Sequence, residues 1–239
     1  MMNEFPEGNG IFETLKTTHG KPFALGRHIA RAARSARKIG IPFPTENEIR
    51  FSVNELLQRS FDIPEMGRLR MTFSFSGEFE LLHENLHMWR APSRLTLLDL
   101  PVNEKSPMSG IKSLPYTENF RALELARAAG FDDGIRLNTK GEVSESAVAN
   151  LLLRIEEKWV TPNIASGCLP GITRELALEW CSIDEEAIFV DALDQVEAIF
   201  LLSSLKNLQP VASLGSRNLE IDTGLPAIFT QRMQENLDP

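Results

Sequence analysis

The chain has 239 residues, of which 42% are hydrophobic and 24% charged, and its formal net charge is −8. This composition is typical of a globular protein with a real core, and the negative charge disfavours nucleic acid and anionic membranes as partners. No apolar stretch approaches the ~18 residues that a membrane-spanning helix needs.

The N-terminal residues and the small number of cysteines favour a cytoplasmic protein. The first residues, MMNEFPEGNG, contain no basic segment followed by an apolar run, so we expect no signal peptide. Cys168 and Cys181 form no CxxC motif and are too few for a disulfide framework. A reducing compartment is therefore the simplest interpretation.

The first part of the chain predicts strands and two helices. Residues 11–17 have strand character, His19-Gly20 indicates a turn, and residues 22–25 can return as a strand. A helix is predicted over residues 28–39, ended by Gly40. A second helix is predicted over 46–58, with Thr45 as N-cap and Glu48 at the capping-box position. Strands are predicted over 68–75 and 79–89.

The second part mixes strands and helices without a strict βαβ repeat, which indicates an α+β fold. Ala91-Pro92-Ser93 is a breaker, and we place a domain boundary there, between domains 1–91 and 94–239. Beyond it, strands are predicted over 95–100, 135–137, from 143 onward and over 199–202, with helices over 117–129 and from 173 to 180.

His83-Glu84-Asn85-Leu86-His87 matches the H-E-x-x-H signature of zinc proteases. That chemistry needs both histidines on one face of a helix. The segment alternates like a strand, on which residues four apart are separated by roughly 13 Å, too far for one zinc ion. We therefore expect no metal site.

Several other features each carry a weak signal. Arg27, Arg31, Arg34 and Lys38 have helical spacing; most of this stripe should be a solvated face, although one arginine could bind a phosphate. A glycine turn at residues 169–171 leads into a helix whose N-terminus could also hold phosphate. Ser203-Ser204 places two hydroxyls at the end of a buried strand. Lys112 could be a surface lysine or, in a pocket, a Schiff-base lysine, and Glu145 alone would be a strand-edge carboxylate.

In chain order these features form a longer pattern. It runs from G-N-G-I-F-E-T at residues 8–14 through H-I-A-R at 28–31, I-K-S at 111–113, G-x-V-x-E at 141–145, Asn150, T-P at 161–162 and L-P-G-I-T-R at 169–174 to S-S at 203–204. The pattern resembles the fold-type IV pyridoxal-5′-phosphate (PLP) enzymes, that is, branched-chain and D-amino-acid aminotransferases and aminodeoxychorismate lyases. The resemblance implies a two-domain α+β fold with PLP at the domain interface, and a homodimer.

The resemblance also implies roles for individual residues. Lys112 matches the lysine that forms a Schiff base with PLP and moves the Cα proton, and Glu145 matches the carboxylate that keeps the pyridine nitrogen protonated. The other residues implied at the cofactor are Arg31, Ile172, Thr173 and Ser204 at the phosphate, Leu169 on the ring and Tyr116 at the phenolic oxygen. No metal is implied.

Thr14 directs the choice of reaction. A threonine in F-x-T resembles the lyases, where it is thought to relay a proton, so we expect conversion of 4-amino-4-deoxychorismate to 4-aminobenzoate and pyruvate. Phe12 and Arg70 are expected to contact the substrate. The loop after residue 75 is only Ser76-Gly77-Glu78, and the R-x-H clamp of the D-amino-acid enzymes is missing. The alternatives are an aminotransferase acting on branched-chain or D-amino acids and a non-catalytic relative, against which the intact Lys112 and Glu145 argue.

Overall fold

The computed structural model describes residues 8–59, 63–89 and 91–236. The described chain forms two compact units. The first contains the residues up to Met88 together with Ile111–Tyr116 and Asn236, and the second contains Trp89–Gly110 and Thr117–Glu235. The sequence placed Lys112 in the second domain. The structure differs because Ser113–Leu114 pairs with the first strand of the chain, which brings Lys112 into the first unit.

The elements of the described residues are, in chain order, β1 (Gly10–Thr18), β2 (Lys21–Pro22), α1 (Leu25–Ile39), α2 (Glu46–Arg59), β3 (Met66–Ser74), β4 (Phe79–Asn85), β5 (Ser93–Val102), β6 (Ser113–Leu114), α3 (Thr117–Ala128), β7 (Asp133–Asn138), β8 (Val143–Ser146), β9 (Asn150–Ile155), β10 (Lys158–Pro162), α4 (Ile172–Trp180), β11 (Asp184–Glu186), β12 (Ala198–Ser203), β13 (Asn207–Leu214), β14 (Arg217–Asn218) and α5 (Gly224–Glu235). Short 3-10 turns lie at Ile164–Ser166 and Val190–Gln195.

The first unit is an antiparallel sheet in the order β2-β1-β3-β4, with β6 added to β1. Alternate residues of β1 and β3 pack with α1 and α2 in one apolar core, which contains Ile11, Leu15, Leu69, Met71 and Phe73. At the start of β1, a Cβ on Gly10 would lie 2.0 Å from the carbonyl oxygen of Phe73. Only glycine permits β1 and β3 to approach so closely at this end.

Both helices of the first unit show the predicted end signals. Thr45 and Glu48 form the predicted capping box: Glu48 accepts the Thr45 N–H at 2.8 Å, and the Thr45 hydroxyl accepts the Glu48 N–H at 3.3 Å. Gly40 ends α1, as predicted. However, α1 begins at Leu25, not at residue 28, because Ala24 adopts a left-handed conformation that turns the chain directly from β2 into the helix.

The second unit contains a mixed sheet in the order β11-β10-β9-β12-β13-β5-β7-β8, with β14 added to β13. β5 runs parallel to both β7 and β13. The central strands β9 and β12 read as nearly continuous apolar runs and are buried, as expected for strands covered on both faces. The mixture of helices and sheets confirms the predicted α+β class. None of the helices in the described residues combines the length and apolar character that crossing a membrane requires.

Candidate active site

The alternation of β1 separates two sets of side chains. Ile11 and Leu15 lie in the apolar core with the helices. Because side chains alternate along a strand, Phe12, Thr14 and Lys16 point to the opposite face. Phe12 and Lys16 are nonetheless buried, at 3% and 4% exposure, and Thr14 is half-buried.

Lys112 is held against this face by β6. The Phe12 N–H donates to the Lys112 carbonyl oxygen at 3.0 Å, which fixes the segment next to β1. The Lys112 Nζ atom lies 4.2 Å from the centroid of the Phe12 ring and 4.6 Å from that of Tyr116. The two rings meet edge to face, 5.1 Å apart. Lys112 is therefore oriented by two cation–π contacts and is partly buried, unlike an ordinary surface lysine.

Thr14 and Arg70 are directly opposite each other in the β1–β3 pairing. Directly paired residues share a face, so Arg70 lies on the same face as Phe12 and Thr14. Arg70 is 7% exposed. Burial, and then the neighbouring charge of Arg68, lower the pKa of Arg70. The structure thus brings together five of the predicted residues around one sheet face of the first unit, namely Lys112, Tyr116, Phe12, Thr14 and Arg70.

Arg31 has a partner that the sequence did not predict. Its Nε and Nη2 atoms donate to the two carboxylate oxygens of Glu13 at 2.9 and 2.6 Å, and His28 Nδ1 lies 2.7 Å from the same carboxylate. All three side chains are buried. Burial alone would raise the pKa of Glu13, but the charge of Arg31 and the hydrogen bonds outweigh it and lower the pKa to about 2. Arg31 is therefore not part of a solvated stripe, whereas Arg34 and Lys38 are exposed.

Glu145 is positioned in the second unit by the loop that precedes α4. Its Oε2 atom accepts the backbone N–H of Leu169 at 2.9 Å, so these two predicted residues are in contact. Burial, and then the charge of Glu145, raise the pKa of the nearby Cys168 thiol to about 11. Cys168 and Cys181 are both free thiols, and Cys168 is held in its protonated form at neutral pH.

The start of α4 has the geometry of an anion site. Gly171 precedes the helix, and a Cβ at this position would lie 1.9 Å from Asn150 Oδ1. Asn150 Nδ2 in turn donates to the Leu169 carbonyl at 2.8 Å. The first N–H groups of a helix have no hydrogen-bond partner within the helix. In α4 these include the N–H groups of Ile172 and Thr173, which directly follow Gly171. This cradle fits a phosphate group.

The remaining predicted residue of the second unit, Ser204, follows the end of β12 in the turn to β13 and is half-buried. Arg174, in the first turn of α4, is also buried. It donates from Nη2 to the carbonyl of Pro162 at 2.8 Å and pairs with Glu185. Arg174 therefore anchors the helix to β10 and β11.

The H-E-x-x-H segment is not helical. His83 lies on β4, and its Nε2 atom is hydrogen-bonded to Thr17 Oγ1 at 2.8 Å. His87 lies beyond the strand and is exposed. The strand alternation predicted this arrangement. The described residues contain no group of three or more His, Cys, Asp or Glu side chains that could hold a metal ion.

Sequence reasoning assigned no role to Glu13, His28 or Lys16. Glu13 and His28 belong to two of the family motifs, but no sequence pattern predicts a hydrogen bond between these two residues, which are 15 positions apart. Lys16 had a usable signal, since it continues the alternation of Phe12 and Thr14 along a buried strand.

Comparison with known proteins identifies the family. The model of the family described as amino-transferase class IV matches residues 10–214. The chain therefore belongs to the class IV aminotransferases, which are PLP-dependent enzymes, and its cofactor is PLP.

Individual relatives are distant. The chain is 26% identical to the "Probable branched-chain-amino-acid aminotransferase" of Thermotoga maritima, over 96% of this chain and 85% of that protein. It is 27% identical to the aminodeoxychorismate lyase of Bacillus subtilis, over 73% and 65%. The crystal structure of a branched-chain aminotransferase from Thermoproteus uzoniensis superimposes with a TM-score of 0.86 at 23% identity, over 95% of this chain and 85% of that one. The last comparison shows the same fold.

Proposed function

We propose that this enzyme converts 4-amino-4-deoxychorismate to 4-aminobenzoate and pyruvate. The observation that carries the proposal is the position of Thr14. Thr14 follows Phe12 by two residues on β1, and the Phe12 ring contacts the Lys112 ammonium. In the β1–β3 pairing Thr14 is directly opposite Arg70. A hydroxyl that can donate and accept protons therefore stands on the same sheet face as the proposed catalytic lysine. The likeness to a lyase at 27% identity supports the same reaction.

The reaction requires two proton movements. A proton leaves the ring carbon that bears the nitrogen, the ether C–O bond to the enolpyruvyl group breaks, and the departing group takes up a proton to become pyruvate. Bound PLP supplies an electron sink for the negative charge that develops when the first proton leaves. We assign the first transfer to Lys112 Nζ and the relay of the second to the Thr14 hydroxyl. The ring that remains is aromatic, which drives the reaction forward.

The proposed cofactor residues fit PLP by their chemistry. The α4 cradle would hold the phosphate through the Ile172 and Thr173 amides, with Ser204 as a further donor. The family resemblance assigns Arg31 to the phosphate as well, in addition to its hydrogen bonds to Glu13. Glu145 would keep the pyridine nitrogen protonated, and the hydrogen bond that its carboxylate accepts from the Leu169 N–H orients the side chain. Leu169 would pack on the ring, and Tyr116 would contact the phenolic oxygen.

The assignment of Lys112 is tested by covalent labelling. Purified protein with PLP should absorb in the visible range, and reduction with borohydride should attach the cofactor to the peptide that contains Lys112. Label on Lys38 or Lys140 in place of Lys112 would remove Lys112 from this role.

The reaction itself is tested by supplying aminodeoxychorismate, generated in situ from chorismate and glutamine, and measuring 4-aminobenzoate. A parallel panel of L- and D-amino acids with 2-oxoglutarate tests the second candidate, an aminotransferase. The Thermotoga relative favours this candidate because its alignment covers 96% of this chain. Transamination without any 4-aminobenzoate would replace the lyase proposal with the aminotransferase.

The proposal includes a cytoplasmic enzyme that acts as a homodimer on a small molecule. The two free thiols support a reducing compartment. Neither nucleic acid nor a membrane is a proposed partner, in keeping with the net charge of −8.

A further inference from the structure

A short segment, residues 146–149, connects two parts of the proposed cofactor site in the second unit. Glu145 on β8 directly precedes the segment, and Asn150, the first residue of β9, directly follows it. Asn150 donates to the Leu169 carbonyl at 2.8 Å and lies against Gly171 at the start of α4. A contact that fixes this segment therefore acts on the proposed partner of the pyridine nitrogen and on one wall of the proposed phosphate cradle.

Asp133, the first residue of β7, is hydrogen-bonded to this segment. Its Oδ2 atom accepts the Ser146 hydroxyl at 3.0 Å, and its Oδ1 atom accepts the Ala147 N–H at 2.9 Å and the Gly134 N–H at 2.7 Å. The Ala147 N–H is shared with the Gly134 carbonyl, at 3.1 Å. Asp133 is 1% exposed. One buried carboxylate thus holds two consecutive residues, the first of which directly follows Glu145.

The segment is a tight turn that Asp133 contacts from one side. The Ser146 N–H donates to the Ala149 carbonyl at 2.8 Å, and the Ala149 N–H donates to the Ser146 hydroxyl at 3.0 Å. On α3, Asn119 donates from Nδ2 to the Ala147 carbonyl at 2.7 Å. The Ser146 hydroxyl is therefore the group through which the hydrogen bonds of the turn continue to Asp133.

The hydrogen bonds of Asp133 compensate for its burial. Burial raises the pKa of Asp133, whereas the charge of Lys206 and the three hydrogen bonds act in the opposite direction. A buried charged group is strongly unfavourable unless it is hydrogen-bonded, so the carboxylate and its donors hold each other in one arrangement. The position of the segment is therefore tied to that of Asp133.

We propose that Asp133 is a positioning residue for PLP, which acts through the segment 146–149 on Glu145 at one end and on Asn150 at the other. Its hydrogen bonds carry this role, since the groups that it contacts in the segment are a neutral N–H and a neutral hydroxyl. The proposal rests on the proposed function, in which Glu145 faces the pyridine nitrogen and the start of α4 binds the phosphate. One buried side chain would then hold both parts of the cofactor site.

NMR of the bound cofactor tests this role without turnover. The ¹⁵N resonance of labelled PLP reports the protonation of the pyridine nitrogen, and the ³¹P resonance reports the surroundings of the phosphate. In Asp133→Ala both resonances should move, and the pH at which half of the pyridine nitrogen is protonated should fall by about 1 unit or more, a loss of about 10-fold in proton affinity. Glu145→Gln should move mainly the ¹⁵N resonance, and Gly171→Ala mainly the ³¹P resonance.

Three further variants separate positioning from other effects. Asp133→Asn can still accept the Ala147 N–H and can donate to the Ser146 hydroxyl, so its half-protonation pH should stay within about 0.3 unit of the wild type. Asp132→Ala is the matched control, because Asp132 is the neighbouring, exposed aspartate and accepts the Arg94 N–H; it should move neither resonance. Ser146→Ala should move both resonances in the direction seen in Asp133→Ala, and replaces that variant if it folds poorly.

Two results would overturn the role of Asp133. One is a folded Asp133→Ala protein in which either resonance keeps its wild-type position. The other is an Asp133→Asn protein that shifts both resonances as far as Asp133→Ala, which would assign the effect to the charge. An unchanged ¹⁵N resonance in Glu145→Gln would refute the cofactor assignment, and this role with it. An enzyme that shows the expected resonances but forms no 4-aminobenzoate would refute only the lyase reaction.

Discussion

Thr14 is the residue that separates the two candidate reactions. A lyase needs a second proton-transfer group for the departing enolpyruvyl unit. An aminotransferase moves one proton between the substrate Cα and C4′ of PLP on a single face of the cofactor, and Lys112 alone can carry out that transfer. Thr14→Val is nearly isosteric and lacks the hydroxyl. We expect it to slow 4-aminobenzoate formation by about 10²-fold, the usual size of general acid–base catalysis, and to leave half-transamination of any accepted amino acid nearly unchanged.

The control for this variant is Thr18→Val, which removes an exposed hydroxyl from the end of the same strand. It should retain the wild-type rate. If Thr14→Val also forms 4-aminobenzoate at the wild-type rate, Thr14 is a strand residue selected for packing, and the lyase assignment loses its main support.

We expect Glu145 to influence the reactivity of PLP, and to contribute little to the affinity of the protein for PLP. Glu145→Gln keeps the shape of the side chain but removes the charge that would hold the pyridine nitrogen protonated. We predict that the variant still binds PLP, seen by its visible absorbance, while turnover falls by at least about 10²-fold. Glu142→Gln, three residues earlier and bonded to Asn138, should keep its activity. Normal turnover in Glu145→Gln would remove Glu145 from the mechanism.

Two contacts act at the scale of whole elements. The first is the Glu13 carboxylate on β1, which binds Arg31 and His28 on α1 and so joins the strand to the helix. Its pKa is lowered from 4.5 to about 2 in the folded protein. A carboxylate with a depressed folded pKa contributes stability that is present above the unfolded pKa and is lost as pH falls toward the folded one.

We therefore predict that the free energy of unfolding of the wild type falls between about pH 4.5 and pH 2, with a contribution from Glu13 of the order of 3 kcal/mol. Glu13→Gln should be less stable at pH 7, because it leaves Arg31 buried without its carboxylate, and should lack this part of the acid transition. Urea unfolding at several pH values measures both effects. Glu46→Gln, which breaks an exposed ion pair on α2, should leave the pH profile unchanged; an unchanged profile in Glu13→Gln would contradict the prediction.

The second contact is the approach of Gly171 to Asn150 at the start of α4. In Gly171→Ala the new Cβ would lie 1.9 Å from Asn150 Oδ1, so the amide or the helix start must move. If this cradle binds the phosphate, the affinity for PLP should fall by roughly 10-fold or more, while the affinity for pyridoxal, which lacks the phosphate, should change little.

Gly224→Ala provides the control, because this glycine begins α5 and its Cβ would meet nothing closer than 3.9 Å. Its PLP affinity should match that of the wild type. Equal losses of PLP and pyridoxal affinity in Gly171→Ala would show that the substitution disturbs the fold, and would leave α4 out of the phosphate site.

At the scale of the whole molecule, the assembly that we propose is a homodimer of two 26.8 kDa chains. We predict that sedimentation of the PLP-loaded enzyme shows a dimer and that activity per chain falls on dilution as the dimer dissociates. A monomer that remains fully active at nanomolar concentration would refute this assembly. The measurement should be repeated at high salt, since a chain of net charge −8 repels its own copy most strongly at low ionic strength.

Much of this molecule was predictable from the sequence because the signals are local. The alternation that begins at Phe79 and Leu81 predicted a strand, and β4 confirms it and so rules out a helical H-E-x-x-H site. The Thr45–Glu48 capping box involves residues three apart, and the motif order from residue 10 onward indicated the family that the comparison confirms. Each of these features depends on neighbours along the chain, whose geometry a strand or a helix dictates.

Tertiary structure alone decided the remaining features, because they depend on residues that are distant in sequence. Arg31 pairs with Glu13 since α1 packs on β1, and a stripe of basic residues could not reveal which arginine becomes buried. Ile111–Tyr116 joins the first unit because β6 finds its hydrogen-bonding partner about 100 residues earlier in the chain. Lys16 and Arg70 become neighbours only through the register of β1 and β3. Register is set by the core that forms on the opposite face of these strands, and a shift of one residue would turn the cation of the shifted strand toward that core.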